Sequence, residues 1–126
     1  MAAFLEELRQ FIAIFTQNLV DVDLSIKIVD NNSTDRSLDF LKKQNLPKCI
    51  EILTCSQQGY GAALKYGFLN SNSDYYAFAD LDNTYPLADL IAMLKIMQHK
   101  NADMVLGARI HAQADMESLR RFGNWL

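Results

Sequence analysis

The chain has 126 residues, half of them apolar and 21% charged, with a net charge of −3; this is the composition of a single globular domain of a size that buries a working core. The acidic balance and the lack of a basic block argue against a nucleic-acid partner. No apolar run approaches the length that crosses a bilayer, and the N-terminus lacks the basic segment, apolar run and small-residue cleavage site of a secretory signal.

Phe4, Leu5, Leu8, Phe11, Ile12, Phe15 and Leu19 recur at helical spacing and predict an opening amphipathic helix. Leu24 to Val29 reads as a strand with Leu24, Ile26 and Ile28 on one face. Asn31-Asn32-Ser33-Thr34-Asp35 is a turn rich in capping side chains, in which Ser33 or Thr34 is expected to cap a helix and Asp35 to complement its dipole. That short helix runs through Leu38 and Leu41 and ends before Pro47. Cys49 to Thr54 is the second predicted strand. If Cys49 and Cys55 both lie in it, their Cα atoms stand about 20 Å apart, out of disulfide reach, and they read as packing residues of a reducing compartment.

Gly59-Tyr60-Gly61 leads into a predicted helix from Ala62 to about Asn70. Tyr75 to Ala79 is the third predicted strand, and Leu87, Leu90, Ile91, Leu94 and Met97 mark the next helix. Met104-Val105-Leu106 is the fourth strand, ending at Gly107, and Met116 to Leu126 reads as a terminal helix with Leu119, Phe122 and Leu126 on one side. Strands alternating with helices imply right-handed crossovers and a mainly parallel α/β sheet flanked by helices. Ligands of such sheets bind outside the carboxyl ends of the strands, which is where the clusters around Asp30, Gly59, Asp80 and Arg109 fall. The chain opens with a helix, where a doubly wound fold normally opens with a strand.

Asp80-Leu81-Asp82 is the most informative of these clusters. In a strand, side chains at i and i+2 share a face about 6–7 Å apart, so two carboxylates there repel by roughly 2–3 kcal/mol at an effective dielectric near 20. A cation between them relieves the repulsion, and Mg²⁺ or Mn²⁺ completed by a substrate diphosphate suits the donor set; a polar turn closed by Asn83 and Pro86 is the plainer explanation. Asp30 sits where a carboxylate can accept hydrogen bonds from a base or ribose. Gly59 and Gly61 either admit a ligand to the backbone or close a tight turn. Lys65 faces a phosphate or, more commonly, solvent. His99 and His111 read as surface residues, no Cys/His cluster has zinc spacing, and the methionines at helical spacing read as core.

Val29-Asp30-Asn31-Asn32-Ser33-Thr34-Asp35, Gly59-Tyr60-Gly61-Ala62-Ala63-Leu64, Asp80-Leu81-Asp82-Asn83-Thr84-Tyr85-Pro86, Asp103-Met104-Val105-Leu106-Gly107-Ala108-Arg109 and Arg120-Arg121-Phe122-Gly123-Asn124 resemble, in order and spacing, the motifs of family 2 glycosyltransferases. The likeness is to the branch of dolichyl-phosphate mannose and glucose synthases. The resemblance implies a GT-A (Rossmann-like) fold over residues 1–126, and transfer of a sugar from a UDP- or GDP-linked donor to an acceptor such as a polyprenyl phosphate. It implies that Asp30, Asn32, Gly59, Gly61 and Asp80 contact the donor, with Asp30 at the nucleoside and Asp80 at the ribose or sugar. Asp82, with Asp80, would bind Mg²⁺ or Mn²⁺ on the diphosphate. Arg109, with a catalytic role beside Asp82, and Arg120 and Arg121 would sit near phosphates.

The departures from the pattern carry expectations of their own. The usual Asp-Asp-x-Ser reads Asp30-Asn31-Asn32-Ser33, losing a charge, and Thr84 stands where some relatives carry a metal-binding glutamine. The family's opening strand, with its Pro-x-Tyr-Asn-Glu-like segment, and everything after Arg-Arg-Phe-Gly-Asn are missing, so the chain is expected to be a partial domain truncated at both ends. The full-length enzyme would work in the cytoplasm at the inner membrane face, where Leu119, Phe122, Trp125 and Leu126 beside paired arginines would rest on an anionic surface. The alternative is a truncated, non-catalytic remnant that binds nucleotide weakly or pairs with a second copy through an open sheet edge. A nucleotidyltransferase, which also uses paired aspartates, is a weaker option.

Overall fold

The N-terminal apolar stripe folds as its spacing demands. In the structure, a computed structural model that describes residues 2–80 and 85–107, helix α1 spans Ala2–Asn18 and buries Phe4, Leu5, Leu8, Phe11 and Phe15. The Phe11 and Phe15 rings meet edge to face, 5.7 Å apart at 60°. Burying such side chains is worth roughly 1.5–3 kcal/mol each, and packing of an apolar face, more than propensity, supplies most of a helix's stability in a protein. There follow strand β1 (Ile26–Asp30), helix α2 (Ser37–Lys42), strand β2 (Ile50–Thr54), helix α3 (Tyr60–Leu69) and helix α4 (Asp89–Lys100). The result is a mixed α/β protein with a parallel sheet flanked by helices.

The chain divides into two compact units. The first, Asp21–Phe78, holds the sheet. β1 and β2 pair in parallel with Ile26 opposite Ile50 and Asp30 opposite Thr54. The ladder is prolonged at both ends by Ile26 N–H donating to Cys49 O (2.7 Å) and Cys55 N–H donating to Asp30 O (2.8 Å). Alternation places Ile28 and Asp30 on one buried face, and the directly paired Lys27 and Glu51 form an ion pair across the strands. α3 packs on β1.

The second unit is formed by the described parts of 1–20 and 79–126. Here Leu87 N–H, just before α4, donates to Glu7 Oε1 of α1 at 3.1 Å. α4 carries Asp89 in its first turn and Lys100 in its last, each complementing the helix dipole. It stops at Asn101, whose left-handed φ of 49° lets Asn101 N–H reach Gln98 O and Ala102 N–H reach Met97 O, a Schellman closure.

Three expectations need correction. Tyr75 to Ala79 and Met104 to Leu106 are not strands: among the described residues the sheet has β1 and β2 alone. Instead, Phe68 of α3 meets the rings of Tyr76 (5.7 Å) and Phe78 (6.2 Å) edge on, while the Tyr76 hydroxyl donates to Ser71 O and accepts from Ser73 N–H. Aromatic and β-branched content fits a segment for a pleated surface, but a strand exists only where a neighbour offers its ladder. Met104 and Leu106 are 70% and 79% exposed, so they lack the cover a parallel strand receives on both faces. Finally, neither Ser33 nor Thr34 caps α2. Asp35 Oδ1 accepts from Ser37 N–H at 2.8 Å, because the chain makes one more turn before the helix begins.

Candidate functional site

The sheet-bearing unit concentrates its polar chemistry at the carboxyl ends of its two strands. Asp30, the last residue of β1, is 8% exposed and is the buried charged residue among those described. Its carboxylate has one long hydrogen bond there, from Ser33 N–H at 3.4 Å. Buried polar groups are ordinarily satisfied, so a carboxylate with two oxygens and one weak donor keeps capacity for donors from a ligand.

Opposite Asp30 in the ladder is Thr54, and Thr54 begins the lining of an open pocket of about 480 Å³, a volume suited to a small molecule. Cys55, Ser56 and Gln57 form one wall; Gly61, Ala62, Lys65, Tyr66 and Leu69 of α3 form the other. Cys55 is buried, and its thiol donates to Gln57 O at 3.3 Å. Both cysteines are free.

Asn31 joins the pieces. Its Nδ2 donates to Gln57 O at 2.6 Å and its Oδ1 accepts from Gly59 N–H at 2.7 Å. One side chain after β1 therefore holds both the loop after β2 and the start of α3. The two glycines there differ in their reasons. Gly59 has a φ of 124°, which a side chain would strain. Gly61 has no such φ, and a Cβ there would meet nothing within 4 Å; its smallness leaves the backbone open to the pocket. Asn32 takes a φ of 57°, a left-handed conformation asparagine tolerates, which is a backbone reason for its presence.

Asp35 is held below the usual carboxylate range by hydrogen bonds from the Ser37 hydroxyl and then the Ser37 N–H, which serves α2 rather than the pocket.

The predicted site residues therefore divide. Asp30, Gly59 and Gly61 come together around the pocket or its supporting loops, and Lys65 joins them. Asp80 is part-buried and belongs to the other unit. Asp82, Thr84, Arg109, Arg120 and Arg121 lie outside the described residues, as do His111 and the expected terminal helix. Among the described residues no group of three His, Cys, Asp or Glu side chains is arranged to hold a metal. Sequence reasoning missed the roles of Asn31, Thr54, Cys55 and Gln57; Thr54 ends β2 and Cys55 follows it, a placement the sequence offered, whereas nothing local marks Asn31 and Gln57 as partners.

A family model described as "Glycosyl transferase family 2" matches residues 1–124. The chain is 29% identical over 86 residues to a "Low-salt glycan biosynthesis hexosyltransferase Agl6" of Haloferax volcanii, a match covering 68% of this chain and 20% of that protein. It is 31% identical over 78 residues to an "Uncharacterized glycosyltransferase alr2836" of Nostoc sp., covering 60% of this chain and 24% of that protein. The chain thus spans between a fifth and a quarter of the length of these relatives. No solved structure matches it.

Proposed function

The chain belongs to glycosyl transferase family 2, and from that premise we propose that it binds the nucleotide part of a nucleotide-diphosphate sugar for transfer of the sugar to an acceptor. The observation that carries this reading is Asp30: a buried carboxylate with a single long hydrogen bond among the described residues, one ladder position from a pocket at the carboxyl edge of the sheet. Ribose hydroxyls or a base N–H supply the donors it lacks. Gly61 gives the ligand close approach to the start of α3, and Lys65 lines the same pocket with a cationic group suited to a phosphate.

The donor in this reading is UDP- or GDP-linked. Asp80 and Asp82 are the residues that would hold Mg²⁺ or Mn²⁺, since paired carboxylates suit a hard divalent cation. The ion, when bound, neutralises charge on the leaving diphosphate. Asp30 and the pocket walls orient the nucleoside, so that the reacting carbon is presented in one geometry. The acceptor we favour is a polyprenyl phosphate. Its phosphate is anionic at neutral pH and needs positioning more than deprotonation, a task that fits the forked guanidinium groups of Arg109, Arg120 and Arg121. The enzyme would then work at the cytoplasmic face of a membrane; no helix among the described residues is long and apolar enough to cross one.

Isothermal titration of the chain with UDP and with GDP, each with Mn²⁺, tests the reading. Heat with one nucleotide, lost in Asp30→Ala, supports it. A folded chain that gives no heat with either removes it.

A further inference from the structure

Asn31 stands where the family pattern has a second acid, and its contacts show what an amide does there that a carboxylate would not. Gln57 O is a carbonyl and needs a donor; Gly59 N–H needs an acceptor. The Asn31 side chain offers one of each, at 2.6 Å and 2.7 Å, and these two partners fix which end of the amide is nitrogen. Aspartate would still accept from Gly59 N–H, but its other oxygen would face Gln57 O with no proton between them. The cost of that mismatch falls on the pocket: Gln57 is in one wall, and Gly59 precedes the helix that forms the other.

We propose that Asn31 is a positioning residue that pins the loop between β2 and α3 to the end of β1, and so sets the affinity of the adjoining pocket for the nucleotide, without touching the ligand itself. This rests on the reading that the pocket receives the donor nucleotide. The amide is a clamp with a defined polarity, holding the loop after β2 by donation and the start of α3 by acceptance. The residue beside it in sequence, Asp30, meets the ligand directly, so adjacent positions divide recognition from support.

Asn31→Asp and Asn31→Ala in the full chain provide the test, with folding checked by circular dichroism and with UDP and GDP as probes in the presence of Mn²⁺. Asn31→Asp is expected to weaken binding of the nucleotide that the unaltered chain takes by about tenfold at neutral pH, the order of one mispaired hydrogen bond. Asn31→Ala, which offers neither donor nor acceptor, should weaken binding as well. Amide hydrogen exchange at Gly59 should stay slow in Asn31→Asp and quicken in Asn31→Ala. Folded Asn31→Asp that binds as tightly as the unaltered chain overturns the proposal. So does Asn31→Ala with unchanged exchange at Gly59. If the unaltered chain binds neither nucleotide, the donor reading fails and takes the ligand half of this proposal with it, while the exchange measurement still decides whether the clamp exists.

Discussion

Gly67 and Val29 meet where α3 crosses β1, with no room for a side chain between them: a Cβ on Gly67 would lie 3.1 Å from Val29 Cγ2. Helix α3 buries none of its own residues fully, so this close approach is how it seats on the sheet and carries the pocket wall. Alanine at 67 would gain about 1 kcal/mol of helix propensity and lose it to overpacking against a β-branched side chain with little χ1 freedom. Gly67→Ala alone is therefore expected to change stability by less than about 1 kcal/mol. In a Val29→Ala background the same substitution should stabilise, giving a coupling of at least about 0.5 kcal/mol in a urea double-mutant cycle. Strict additivity would show that the two residues do not compete for space.

The contact between Glu7 and Leu87 makes a second expectation. Leu87 is buried and its N–H donates to Glu7 Oε1. Removing the acceptor leaves a buried donor unpaired, a loss of about 1–3 kcal/mol. Glu7→Ala should lower the urea midpoint accordingly, and Glu7→Gln, which keeps an acceptor, should retain most of the difference. Equal losses in the two variants would mean that charge, not the hydrogen bond, matters there.

Asp35 gives a pH dependence with a definite sign. Its folded pKa lies below the ordinary value of 3.8, owing to the Ser37 hydroxyl and N–H. A depressed carboxylate contributes stability that is fully present above the unfolded value and is lost as pH falls through the lower folded one. An NMR titration should place Asp35 below 3.8, and Ser37→Ala should move it part of the way back, since the backbone N–H remains. A titration unmoved by Ser37→Ala would remove the hydroxyl from the cap.

The metal expectation is tested at Asp82. Loss of a residue that supports a metal ligand costs about 10–100-fold in metal affinity, and loss of the ligand itself should cost no less. Asp82→Asn is therefore expected to abolish the Mn²⁺ dependence of nucleotide binding and of any sugar transfer, while the circular dichroism spectrum is unchanged. Undiminished Mn²⁺ dependence would take Asp82 out of the site.

Much of the architecture is legible in the sequence. The stripe from Phe4 to Phe15, the alternation through Ile26 and Ile28, and the Gly59 turn each express a local rule of period or backbone freedom, and all appear where expected. Asp30 at the end of its strand was legible for the same reason. Asn31 was not: its partners lie 26 and 28 residues away, and the sequence registers only a lost charge.

Local spacing thus determined which segments become helices, where the turns fall, and that a carboxylate stands at a strand end. Only the tertiary structure decided which apolar segments pair. Ile26–Asp30 found Ile50–Thr54, whereas the equally apolar Tyr75 to Ala79 lies outside the sheet, with Tyr76 and Phe78 against Phe68. Parallel pairing joins backbone groups far apart in the chain, and what satisfies them depends on which neighbour arrives, a fact that no stretch of side chains carries by itself.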